Sequence, residues 1–316
     1  MTVRVYRWDD ASAPTLTGQL GSLITLLDAV LVNGYGSKTA AGWTKEFSGT
    51  NKAVYKNGVG STGCYLRIDH SSVANYARAR GYRTCADIDA ATSTVPTPTD
   101  AQVSGGLYLY SSDTANATAR PWLIVADAKR FYIWVGYSVT TATGLGTTAA
   151  MHMAFFGDLM PSKAGDNCHF SLVASHTTSP TNFFGAINTN ITSSAISGHY
   201  VLGTNAQVDG SLQFGVVGDS AVYAASTAMG AGTGLPTYPD PVSGSMLLSE
   251  ARTHDSSTIV RGKLPGLWIP LHNLPGNPGD TFTGKGPLNG KSFLLLDAAY
   301  SASRCRVVLE TSDTWS

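Results

Sequence analysis

The apolar positions change period once, near residue 36, and the change divides the chain into two parts. Leu16, Leu20, Leu23, Ile24, Leu27, Val30 and Leu31 recur three and four residues apart. That spacing lays them along one stripe of an amphipathic helix, predicted over about residues 17–32. Thr15 or Thr17 suits the start as a cap, and Asn33-Gly34 suits a left-handed stop. Gly18 and Gly21 each cost roughly 1 kcal/mol against Ala in a helix. A helix that keeps them is expected to lie close against another backbone.

Beyond Gly36 the period is two. Residues 3–8 already alternate weakly as a leading strand, and residues 43–47 and 52–56 flank Ser48-Gly49-Thr50-Asn51 as a predicted hairpin. Residues 64–70 and 75–82 alternate again, with Tyr76, Arg78, Arg80 and Tyr82 on one face. That face is expected to be exposed or on an edge strand, where charge blocks unwanted pairing, ahead of an anion site. Residues 87–92 are predicted as a short helix. The strongest hairpin is 121–137, in which WLIVA and FYIWVGY flank the polar Asp127–Arg130. Runs this apolar are expected to be buried on both faces.

Further strands are predicted over 107–110, 151–159, 169–174, 246–252 and 259–271, and a last hairpin from 291–297 and 304–311. The stretch 177–245 carries little periodicity beyond GSLQFGVV. With 273–290 it is expected to form the loop-rich surface. The pattern predicts a mainly β protein: β-sandwich or barrel-like units with one N-terminal amphipathic helix. Residues 1–42 are expected to form a strand-and-helix docking element, 43–176 a first β unit and 177–316 a loop-rich second, with a single domain as the alternative.

Composition narrows the function classes. Of 316 residues 43% are apolar, enough for a core, while only 13% are charged, about half the ~25% of typical globular chains. Lys plus Arg and Asp plus Glu both number 21. Nucleic-acid binders are clearly basic, so no nucleic-acid partner is expected. A charge-poor surface favours association. No apolar run approaches the ~20 residues that span a bilayer, and MTVRVYRWDD has no signal-peptide layout. Synthesis in a cytoplasm without membrane insertion is expected.

Candidate chemistry is thin. No G-x-S-x-G elbow occurs, and in Asp69-His70-Ser71 the triad residue types are sequence neighbours, whereas triads are assembled by the fold. The seven histidines are scattered, with Asp166, His169 and His176 the one weak metal-like grouping. Asp158, Asp166, Asp209, Asp219, Glu250 and Asp255 contain no pair marked out for glycoside hydrolysis. Gly34-Tyr-Gly36-Ser-Lys38 faintly resembles a phosphate loop but follows a helix instead of preceding one. Cys64, Cys85, Cys168 and Cys305 form no C-x-x-C pair. They are expected to be reduced and mostly buried, with Cys64 and Cys85 open to facing each other across strands. No catalytic residue, metal or cofactor is predicted. Trp122 and Trp134 are expected in the core, and Trp8 and Trp315 at an interface.

Several segments together resemble a family. Pro14 to Leu20 followed by LLDAVLVNGYGSKTAAGWTKEFSGTNKAVYK is similar to the opening of structural proteins of tailed bacteriophages and prophages. RARGYRTCADID, FYIWVGY, FFGDL with Lys163-Ala-Gly-Asp166, IVRGKLPGLWIPLHN and the final hairpin ending in a tryptophan resemble it too. The resemblance implies a virion component made in the host cytoplasm. It would be a homo-oligomeric tail or baseplate protein whose partners are copies of itself and other virion proteins. It implies no enzymatic activity. Leu20, Leu23 and Leu27 of the helix, with Trp8 and Trp315, are the expected docking residues. A receptor- or glycan-binding fibre or spike module is the alternative, followed by a head-surface decoration protein or a depolymerase.

Overall fold

The computed structural model describes residues 2–90, 96–100, 103–138, 144, 151–174, 199–202, 208–209, 213–215, 238–255, 259–271, 276–297 and 306–315. The chain opens with β1 (Arg4–Arg7) and α1 (Ser22–Leu27), which continues directly as a π-helical segment (Asp28–Asn33). There follow β2 (Thr44–Gly49), β3 (Lys52–Lys56), β4 (Tyr65–Asp69), β5 (Tyr76–Tyr82), β6 (Pro96–Thr97) and β7 (Leu107–Tyr110). Next come β8 (Trp122–Ala126), β9 (Arg130–Gly136), β10 (Met151–Asp158), β11 (Met160–Pro161) and β12 (Phe170–Val173). The remainder is β13 (His199–Leu202), β14 (Val208–Asp209), β15 (Gln213–Gly215), β16 (Leu248–Asp255), β17 (Ile259–Pro270), β18 (Thr281–Thr283), β19 (Ser292–Asp297) and β20 (Arg306–Glu310).

The fold is mainly β, in three antiparallel sheets. A central sheet runs β1-β8-β9-β10-β12-β13-β14. One neighbour runs β2-β3-β4-β5-β6 with β7 also on β5, and the other runs β15-β16-β17-β20-β19-β18 with β11 on β17. The 121–137 hairpin explains the stacking. Trp122, Ile124, Phe131, Ile133 and Val135 belong to one core with the helix and the β2–β7 sheet. Leu123, Val125, Tyr132 and Trp134 belong to a second core with the β15–β20 sheet. Alternate residues of one strand point to opposite faces, so one hairpin supplies both cores. Asp127 makes its turn: Oδ1 accepts the Lys129 and Arg130 N–H groups at 2.7 and 3.0 Å.

The expected boundaries at 42/43 and 176/177 fall inside these layers. β1 pairs with β8 in the central sheet, and β13, beyond residue 176, pairs with β12 in the same sheet. Most of the expected 177–245 surface lies outside the described residues. The helix is shorter than its apolar stripe suggested. Gly21 sits at φ 80° immediately before Ser22, a left-handed conformation that ends the helix on its N-terminal side. The expected close approach occurs at Gly18, where a Cβ would overlap the Thr114 carbonyl oxygen. Gly18→Ala is expected to cost ~1–3 kcal/mol by overpacking, read as a lower urea midpoint at constant m-value.

His70 takes over the capping role expected of Thr15 or Thr17. Its Nδ1 accepts the Leu23 N–H at 3.4 Å, while Nε2 donates to the Ala74 carbonyl at 2.8 Å. Burial is the main influence on its pKa, which it pushes down. Leu26, off the predicted stripe, is buried with Leu23, Leu27, Val30 and Leu31, as befits a helix enclosed by a core. At the other end Gly34 N–H donates to Ala29, and the Ala41, Gly42 and Trp43 N–H groups donate to Val30 and Leu31. The predicted helix at 87–92 is not formed over its described part. Asp87 Oδ1 accepts the Ile88 N–H instead, and Asp89 binds Lys52 and Arg67 on the neighbouring strands.

Candidate functional site

The five expected docking residues separate on folding. Leu23 and Leu27 are fully buried in the chain's own core and present nothing to a partner. Trp315 is 8% exposed. Its indole N–H donates to the Glu310 carbonyl at 2.8 Å, and its ring meets Tyr132 edge-on. Both satisfy an aromatic inside a core, so the interface role expected of Trp315 is replaced by a packing role. Trp8 is half-buried against both main cores. Leu20, 45% exposed beside the helix start, is the docking candidate that remains on the surface.

The phosphate-loop-like turn is a clasp. Lys38 Nζ donates to the Val5 carbonyl of β1 at 3.0 Å and lies 3.3 Å from Asp10. Tyr35 Oη donates to Asp10 Oδ2 at 2.8 Å, and Tyr6 Oη to the Thr39 carbonyl at 2.7 Å. The lysine thus covers the free edge of β1, a usual way to blunt a sheet edge.

A buried polar hub joins the layers. Asp158, fully buried at the end of β10, accepts from Asn57 Nδ2, the Thr62 N–H and Thr62 Oγ1 at 2.9, 2.7 and 2.6 Å. His169 Nε2 lies 3.6 Å from Asp158 Oδ2, the oxygen that accepts the Thr62 N–H, and His169 Nδ1 donates to the Asp166 carbonyl at 2.5 Å. Asp166 in turn holds the Cys168 N–H and Arg261 of β17 at 2.8 and 3.1 Å. All three sheets meet through these contacts. His169 Nδ1 is engaged within the hub, while Nε2 faces the Asp158 carboxylate beyond hydrogen-bond length. The expected grouping with His176 lies outside the described residues. Among the described residues no group of three or more His, Cys, Asp or Glu is placed to hold a metal ion. Asp158→Ala leaves three donors facing an apolar void. Its expected cost is about 3 kcal/mol or more, measured by urea unfolding.

Asp69-His70-Ser71 divides across its sheet. His70 is buried as the helix cap, while Asp69 Oδ1 holds Ser71 Oγ at 2.6 Å on the outer side. Cys64 and Cys85 are likewise apart. Cys64 is buried in the helix-side core and its thiol is pushed up to about 11, chiefly by burial; Cys85 bonds the Asp87 carbonyl. Both are free thiols, as is Cys168.

The outer face of the β2–β7 sheet gathers charge and aromatic rings. Tyr76, Arg78 and Arg80 share it as expected, but β5 is an interior strand, paired with β4 on one side and β6 and β7 on the other. Edge protection therefore does not explain these arginines. Arg67 and Arg80 are direct cross-strand partners, and Asp69 faces Arg78. Arg67 donates to Asp69, Asp89 and the Ile88 carbonyl at 2.9, 2.8 and 2.7 Å. Arg80 pairs with Asp100. Arg78 lies 3.5 Å over the Tyr108 ring and donates to the Gly106 carbonyl at 2.7 Å. Tyr76 stands beside Tyr108 and Tyr110, with centroids 5.0 and 5.4 Å away. Arg67, Asp69, Tyr76, Arg78, Arg80 and Asp100 line an open cleft of about 460 Å³.

No protein-family model matches the chain, and no curated protein sequence matches it.

Sequence patterning found the column on β5 but not its walls. Asp89 and Asp100 come from loops 20 or more residues away from the strands they meet along the chain or across the sheet, and Tyr108 arrives on β7 by pairing with Arg78. The one local signal was the alternation of Arg and Tyr in a charge-poor chain.

Proposed function

We propose that this chain is a structural component of a tailed-bacteriophage virion, most simply a homo-oligomeric tail or baseplate protein that works by assembly. The segment resemblance suggests the setting. The observation that carries the reading is the use to which the buried polar chemistry is put. Asp158, His169, Asp166 and Arg261 fasten three sheets into one block, and His70 caps a helix. A rigid block with a charge-poor surface suits repeated packing. Its partners would be copies of itself and other virion proteins, with Leu20 on the contacting surface. Mass spectrometry of purified particles tests this reading: the chain is expected at a stoichiometric copy number, and its absence from washed particles overturns it.

The outer face of the β2–β7 sheet favours a second reading, a receptor- or glycan-binding module. Its Arg and Tyr side chains converge on one open cleft, as at binding surfaces.

A further inference from the structure

We propose that the cleft on the outer face of the β2–β7 sheet binds a sugar acid, a hydroxyl-rich ligand with a single carboxylate such as a uronate unit of an acidic polysaccharide. It deepens the second reading above and does not depend on the chain's place in a virion.

Arginines directly opposite one another on paired strands repel, yet Arg67 and Arg80 occupy such a pair with Arg78 beside them. Two of the three have acidic partners: Arg67 has Asp69 and Asp89, and Arg80 has Asp100. Arg78 has a carbonyl and an aromatic face instead, Gly106 on Nη1 and the Tyr108 ring beneath the guanidinium. A guanidinium carries five N–H donors in a planar fork, and among the described residues the hydrogen bonds of Arg78 use one nitrogen. Stacking on Tyr108 fixes the plane of the fork, which prepares it for a planar, bidentate acceptor. A carboxylate is such an acceptor.

The walls select the rest of the ligand. Tyr76 stands 6.0 Å from the Arg78 guanidinium and supplies an aromatic surface for the apolar face of a sugar ring. Asp69 and Asp100 also line the cleft. Carboxylates accept hydrogen bonds from ligand hydroxyls and repel a second negative charge. A phosphate dianion or a nucleic-acid backbone therefore fits poorly, and a polyhydroxylated monoanion fits well. The volume, about 460 Å³, is within the ~300–1,000 Å³ of small-ligand sites.

The test is titration of the full chain, followed by saturation-transfer-difference NMR and calorimetry. The probes are a glucuronate-containing tetrasaccharide, a neutral glucose tetrasaccharide and inorganic phosphate. Saturable millimolar or tighter binding is expected for the acidic tetrasaccharide, with the other two at least tenfold weaker. Arg78→Gln is expected to lower affinity at least tenfold. Arg78→Lys should lose several-fold, because an ammonium keeps the charge without the fork. Tyr76→Ala should reduce saturation transfer at the sugar-ring protons. Each variant is used at a thermal midpoint matching the parent chain. No saturable binding by the parent, equal binding of the neutral sugar or of phosphate, or undiminished binding by Arg78→Gln or Arg78→Lys would overturn the proposal.

Discussion

Replacing Leu23 and Leu27 together by Asp is expected to leave no cooperatively folded protein. Both side chains are fully buried in the helix-side core. Each substitution loses the ~2–5 kcal/mol typical of a large-to-small change at a leucine and adds a carboxylate that must be ionised without a partner or protonated. Against a total stability of ~5–15 kcal/mol for a domain, the pair exceeds what the fold can absorb. Far-ultraviolet circular dichroism on heating should show no sigmoidal transition, and expression should move to the insoluble fraction. Leu20→Asp is the control. Leu20 is 45% exposed and outside the buried core, so the melting midpoint should fall far less than in the double variant while any contact made by this corner is lost. A double variant that melts like the parent chain would remove the helix from the core.

Acid should loosen the fold well before the carboxylates titrate. His152, on β10, is fully buried against Tyr110, its ring edge-on with centroids 5.4 Å apart, and neither ring nitrogen has a hydrogen-bond partner among the described residues. Burial alone pulls its pKa from 6.5 to about 3. The unfolded chain therefore binds the proton more tightly than the folded one. The stabilisation is fully present above about pH 6.5 and is lost as pH falls towards 3. Each pH unit in that window removes up to ~1.4 kcal/mol. His70, also shifted down by burial, adds in the same direction, because protonation removes the acceptor that caps α1. Asp69 and Glu250 are held below the usual carboxylate range, Asp69 by Ser71, Arg67 and Lys52 and Glu250 by Lys263 and Arg252, all against their burial. They contribute their losses at lower pH, so urea midpoints between pH 7 and 5 isolate the histidines. His152→Leu should raise stability at pH 7 by ~1–3 kcal/mol, the cost of leaving buried polar atoms unpaired, and should flatten the pH dependence. A variant with an unchanged slope would exclude His152 as its source.

The parts of the fold that could be read from the sequence are those whose causes are local. The 121–137 hairpin was legible because both alternations of its strands are apolar and Asp127 closes its turn within three residues. The strands at 65–69 and 76–82 were legible by simple alternation. The stacking order was not, since it depends on Arg4 meeting Ala126 and on Arg261 reaching Asp166. Trp315 misled for a related reason. A terminal tryptophan among polar residues looks exposed, yet its ring takes the space left by Gly266. The helix stripe likewise located a real apolar face without saying whether a partner or the chain itself covers it. The Arg and Tyr column on β5 was visible, but Asp100, which lines the cleft, and Tyr108, on which Arg78 stacks, arrive through tertiary contacts.

The most direct measurement of the assembly reading is a density map of the intact particle at a resolution that separates strands. Symmetric copies of the three-sheet block are expected, with Leu23 and Leu27 inside each copy and the corner at Leu20 against a neighbouring chain. Particles whose map has no density for the block would contradict it.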